Sequence, residues 1–201
     1  LDSRKPREKK ISMRVENIYM MDAFVGPSLR QTSIKDLAAL SLFCYLLSDS
    51  SKGLLKLELV EKGIAQRAST SCMPGVDPSA VGIYLESYPK VPLQKLISQY
   101  ENVLNRFESW FRKPLTHSKL SRLEQAKLAY ESSELWTLRE PGHLAMNLAS
   151  EYQLTGDPTF SLNFLKAAKE VTEQDILRVS KEFRQKLKKN RVRIIIQPAS
   201  Q

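Results

Sequence analysis

One segment limits the fold more than any other. IKDLAALSLFCYLLSD (34–49) is apolar on nearly every face. A helix of that kind is stable only when it is buried on most sides. Ser33, with Asp36 three residues on, forms a capping box that opens it. A chain of 201 residues is long enough to enclose such a helix in one core. The rest of the sequence has to supply the layers around it.

The flanking patterns say what those layers are. ISMRVENIYMMDAFVG (11–26) is rich in β-branched and aromatic residues in rough alternation, and predicts one strand ending at Gly26-Pro27. Residues 54–62 predict a short helix closed by Gly63 as its C′ residue. Residues 64–73 and 80–88 alternate and are separated by Pro74-Gly75 and Asp77-Pro78, the pattern of a hairpin. Leu93, Leu96, Ile97, Tyr100, Val103, Leu104, Phe107 and Trp110 then recur at steps of three and four, as on a long amphipathic helix that Pro114 ends. Further helices are expected at 118–138, at 143–154 and after Gly156-Asp157-Pro158. Thr172 and Asp175 make a second capping box, before a helix with Ile176, Val179, Phe183 and Leu187 on one face. VRIII (192–196) closes the series as a short strand.

Helices that follow one another in this order cannot cover both faces of a sheet. The fold class expected is α+β: two layers, with one mostly antiparallel sheet and helices packed on one face. Residues 1–10 read as a charged linker or tail, and 11–201 as a single domain.

Charge and motifs exclude more than they assign. The net charge is +9. Segment 1–10 holds five basic and two acidic residues, and segment 178–193 eight basic against one acidic, so the remainder is close to neutral. Arg178, Lys181, Arg184 and Lys188 lie opposite the apolar stripe of the last helix and read as a solvated face. A basic nucleic-acid-binding module is the rival of a different class. With no aromatics interleaved among the cations, no nucleic-acid partner is expected. No apolar run reaches the ~18 residues of a membrane span, so no membrane insertion is expected. The start is charged rather than apolar, so no signal peptide is expected, and the compartment stays open.

Cys44 and Cys72, 28 residues apart, set no disulfide framework and cannot make a four-ligand metal site; Cys44 reads as a small core residue. His117 and His143 belong to no H-E-x-x-H or H-x-x-E-H motif and read as cap or surface residues. No nucleophile elbow, P-loop or dinucleotide fingerprint is present. The carboxylates Glu58, Glu61, Glu86, Glu101, Glu131, Glu134 and Asp157 read as solvated surface.

Three segments, in order, carry a resemblance: AFVGPSLRQTSIKDLAALSLFCYLLSDS (23–50), SSKGLLKLELVEKGIAQRASTS (50–71) and GDPTFSLNFLKAAKEVTEQDILRVSKEFRQKLKKNRVRIIIQP (156–198). Their order and spacing resemble one half of an M16 (insulinase/pitrilysin/mitochondrial processing peptidase-like) zinc metallopeptidase. The resemblance implies a LuxS/MPP-like metallohydrolase fold and a chamber enclosed by paired halves. In the family one half carries H-x-x-E-H on its first helix. The matching helix here, 34–48, has no His or Glu. The resemblance therefore implies the non-catalytic half, C-terminal in position, with no catalytic residue and no cofactor in this chain and zinc in a partner half. The other half of a family member supplies an Arg and a Tyr seven residues apart to grip substrate; Leu59 and Gln66 match those positions, and Arg67 and Tyr84 lie near enough to substitute. By strand alternation Arg67 is expected on the opposite face from Gln66. The implied partners are a catalytic M16 half, a peptide substrate and a second copy in a homo-oligomer. A non-peptidase M16 homologue acting as a scaffold or assembly subunit is the alternative within the family.

Overall fold

The computed structural model describes residues 5–48, 52–72, 75–76, 79–116, 118–137 and 139–199. Among these, five strands form one sheet: β1 (Arg7–Met13), β2 (Tyr19–Val25), β3 (Ala65–Ser71), β4 (Ala80–Ser87) and β5 (Val192–Pro198), in the order β1-β5-β2-β4-β3. Only β1 and β5 pair in parallel; the other three ladders are antiparallel. The helices are α1 (Ile34–Ser48), α2 (Leu93–Arg112), α3 (Arg122–Thr137), α4 (Pro141–Thr155), α5 (Phe160–Glu170) and α6 (Glu173–Asn190). A short π-helical turn, Lys56–Val60, follows α1. The α+β expectation holds: a mixed, mostly antiparallel sheet with helices packed on it.

Two readings change. The single strand expected over 11–26 is two, because residues 14–18 break away from the ladder and only Tyr19 onward pairs with β4. Residues 7–10, expected to be linker, are the first half of β1, hydrogen-bonded beside β5. Every residue of β1 is exposed, and Arg7, Lys9 and Lys10 charge what would otherwise be a bare edge. The predicted turn at 74–78 lies largely outside the described residues.

The second capping box forms in full, and the first shows its N-cap hydrogen bond. The Asp36 backbone N–H donates to Ser33 Oγ at 3.1 Å, and Thr172 and Asp175 satisfy each other's backbone N–H groups. Gly63 has φ 67°, the left-handed value expected of a C′ residue. Phe183 of α6 meets Phe24 of β2 at 5.0 Å and Phe43 of α1 at 5.1 Å; Phe43 meets Phe107 of α2 at 4.8 Å. Edge-to-face contacts of this kind fix α1, α2 and α6 over the centre of the sheet.

One polar pair sits inside that core. Asp22 and Arg193, opposite each other on β2 and β5, are 1 % and 2 % exposed. Arg193 Nε and Nη2 donate to the two Asp22 carboxylate oxygens, each at 2.6 Å. Tyr100 of α2 lies beside them, 1 % exposed, with its hydroxyl close to the Asp22 carboxylate. Burial, and then the Asp22 charge, hold that phenol well above its ordinary pKa.

Cys44 is not a free core residue. The structure joins it to Cys72, bonding α1 to the end of β3. Spacing alone could not show this, because the register of β3 beneath α1 is set by tertiary packing. Ser48 and Thr70 reinforce the joint: their hydroxyls share a hydrogen bond at 2.6 Å, and their oxygens lie 3.0 and 3.2 Å from the Cys44 carbonyl oxygen, which accepts from the hydroxyl left free to donate.

Candidate functional site

The side chains of Met20, Asp22, Phe24, Val81, Ile83, Leu85 and Ile195 point from the sheet into the helical layer and are buried. Alternation sends their neighbours to the other face, where no described helix covers them. Ile11 and Met13 of β1, Ile194 of β5, and Met21 and Val25 of β2 are all exposed there. The open face thus carries an apolar stripe across three adjacent strands. Scattered exposed apolar residues are ordinary, but a contiguous patch marks a contact surface.

Beside the stripe the face turns polar. Cross-strand register sets Arg67 opposite Glu86, Ser69 opposite Tyr84, and Tyr19 opposite Glu86 on the other side. Asn17 donates its side-chain amide to Glu86 Oε1 at 3.1 Å and helps hold that carboxylate in place. Tyr84 is half-buried in this group. Desolvation, and then the nearby Glu86 carboxylate and Tyr19, raise its pKa, while Arg67 works against them. Its hydroxyl therefore stays protonated at neutral pH and can donate a hydrogen bond.

The four residues singled out by sequence fall in different places. Leu59 is 0 % exposed, packed in the core within the π-helical turn, and its carbonyl accepts the Ile64 N–H at 2.8 Å. Gln66 and Arg67 are both exposed. A β-bulge interrupts the alternation assumed for them: the register shifts between Ala65 and Arg67, which sets Arg67 opposite Glu86 and leaves Gln66 as the extra residue. Arg67 and Tyr84 are brought together on the open face with Gln66 beside them, and Leu59 is not. Tyr19 and Glu86 complete the group and were not legible as partners in the sequence, since only the register of β2 on β4 and of β3 on β4 makes them neighbours.

The donor set of α1 does not fit zinc. Its inward side presents Leu37, Ala38, Leu42, Phe43 and Cys44, and the one sulfur is committed to Cys72. His143 is exposed in the first turn of α4, and His117 lies outside the described residues. No described helix is long and apolar enough to cross a membrane.

A second exposed apolar area lies on α3 and α4. No residue of α4 is buried. Trp136, Met146 and Tyr152 are 71 %, 71 % and 64 % exposed, and Leu128, Leu135 and Leu154 stand out beside them.

No family model and no curated protein matches the chain. Solved structures do. A protease from Helicobacter pylori superposes with a TM-score of 0.81 at 17 % identity, over 98 % of this chain and 45 % of its own. A peptidase M16 inactive domain from Pseudomonas fluorescens gives 0.71 at 16 % identity, over 98 % and 44 %. An inactive peptidase domain from Bordetella parapertussis gives 0.70 at 17 % identity, over 95 % and 96 %. The chain thus spans about half the length of the first two and nearly all of the third. At these identities the likeness is one of fold, and the fold is that of an M16 peptidase half.

Proposed function

We propose that a chain with this M16-type fold is the zinc-less half of an M16 metallopeptidase, walling a peptide chamber beside a separate half that bears H-x-x-E-H. That partner, in the same polypeptide or another subunit, would hold the zinc. The observation that carries the reading is the uncovered sheet face, apolar across β1, β5 and β2 and polar at β3 and β4, on a fold shared with inactive M16 domains.

Such a face suits an extended peptide. The apolar stripe takes its side chains, the Arg67 guanidinium donates to carbonyls or an acidic residue, and the neutral Tyr84 hydroxyl donates one further bond. Neither touches a reacting atom without the partner half, so their part is binding and orientation. The exposed apolar side chains of α3 and α4 give the partner half a docking surface.

The test is reconstitution. The chain is expected to be inactive alone and to support peptide hydrolysis when combined with its H-x-x-E-H half. Arg67→Ala and Tyr84→Phe are expected to raise KM about tenfold together with little change in kcat. Met146→Asp is expected to weaken the pairing. Hydrolysis by the partner half alone at the same rate would overturn the reading.

The scaffold alternative also has an observation in its favour. The position matching the family's substrate-gripping Arg is Leu59, committed to the core. A reconstituted pair that assembles stably and cleaves no peptide would select this alternative.

A further inference from the structure

On the helical side of the sheet, away from the open face, α2 and α6 splay apart over a cleft of about 590 Å³. Its floor is Tyr100 and Asp22; one wall is Glu101, Leu104 and Asn105 of α2, and the other is α6 with Arg191 just beyond it. The apolar stripe of α6 does not account for this arrangement, and neither does the peptidase reading.

The charges in the cleft do not balance. Asp22 is matched by Arg193 through two hydrogen bonds. Glu101 is matched by Arg191 and Arg193, each at 3.7 Å. That leaves Lys181, Arg184 and Lys188, all lining the cleft from α6. Among the described residues none of the three has an acidic partner within ion-pair distance, whereas Arg178, one turn earlier on α6, has Asp36, Asp175 and Glu182. A solvated helix face explains exposed lysines. It does not explain the buried Nε of Arg184, which has no partner here. Buried donors without acceptors are rare, and each one asks for a ligand or another partner. The Arg184 side chain lines this cleft.

We infer that the cleft between α2 and α6 is a binding site for a small pyrophosphate-bearing anion. Arg184 supplies a rigid fork of N–H donors suited to phosphate oxygens. Lys181 and Lys188 supply point charges at either end. Lys181 and Lys188 are seven residues apart, about 10 Å along the helix. A single phosphate carries roughly −1.5 to −2 and cannot reach or neutralise all three cations. Two linked phosphates do both. The site stands on the helix layer, so it is separate from the proposed peptide face.

The test is calorimetric titration of the full chain at low ionic strength with pyrophosphate, with ADP as a second source of the same group and citrate as a carboxylate control. One pyrophosphate is expected to bind per chain, ADP to compete, and citrate to bind at least about tenfold more weakly. Lys181→Gln with Lys188→Gln is expected to weaken binding about tenfold or more, while Lys186→Gln with Lys189→Gln, which removes equal charge outside the cleft, changes it less than threefold (rough bounds from the salt dependence of phosphate contacts). Absence of binding, equal binding of citrate, or equal loss in the two lysine pairs would each overturn the assignment.

Discussion

Asp22 and Arg193 stand opposite each other on adjacent strands, and two 2.6 Å hydrogen bonds join them inside the core. Breaking such a pair leaves one buried charge uncompensated. Asp22→Ala is expected to cost about 3–5 kcal/mol, whereas Asp22→Leu combined with Arg193→Met is expected to recover most of it. Urea unfolding of Asp22→Ala and of the double variant measures both the loss and the recovery. A single variant as stable as the wild type would show that the pair is solvated rather than buried.

The second capping box should be visible in acid. Burial alone would raise the Asp175 carboxyl, but hydrogen bonds from Thr172 and from Lys35 outweigh it and lower the pKa from 3.8 to about 2. A depressed folded-state value contributes stability above the unfolded pKa and loses it as pH falls from about 4 toward 2. Thr172→Ala is expected to cost about 1 kcal/mol at neutral pH. It should also make the acid limb between pH 4 and 2 shallower. Thermal melts of both proteins across that range decide the point.

The Cys44–Cys72 bond closes a loop with a sequence separation of 28. Chain-entropy reasoning puts its contribution at roughly 3–4 kcal/mol. Reduction, or Cys44→Ser with Cys72→Ser, should lower the denaturation midpoint accordingly. The wild type should label with a thiol reagent only after reduction. Free thiols in the purified native protein would contradict the bond.

Gly82 is expected to tolerate no side chain. A Cβ there would stand 2.5 Å from the Asp22 carbonyl oxygen and 3.1 Å from the Ala23 Cα. Both neighbours are backbone in the centre of the sheet, so neither can yield without distorting the β2–β4 ladder. Gly82→Ala should destabilise by about 1–3 kcal/mol, read from the shift in denaturation midpoint. Gly142→Ala, with nothing within 4 Å of its Cβ, serves as the control.

Periodicity carried most of the fold. The buried helix α1, the two capping boxes, the β3–β4 hairpin and the stripe on α6 are all local patterns, and local patterns survive in a sequence. What stayed hidden depends on register. The sequence could not say that β5 inserts between β1 and β2, because strand order is a long-range choice. The bulge at Gln66 was equally hidden, and it turned Arg67 to the face that simple alternation denied it. Cys44 and Cys72 are neighbours only because β3 runs beneath α1. The candidate site suffered most, since Tyr19, Arg67, Tyr84 and Glu86 come from three strands, and nothing in their spacing joins them.

The insertion of β5 also sets an order of events. Among the described strands β1 pairs with β5 alone, and β5 supplies the Arg193 that Asp22 awaits across 171 positions. During synthesis β2 can join the β3–β4 hairpin early, but it does so with an acid exposed on its inner side and a vacant groove along its edge. β1 meanwhile has nothing to hold. Contacts this distant in sequence form slowly, because the loop entropy comes due before they can repay it. β2, β3 and β4 therefore stand as a half-finished sheet until β5 is made, and β5, the last of the five described strands in chain order, goes into its middle.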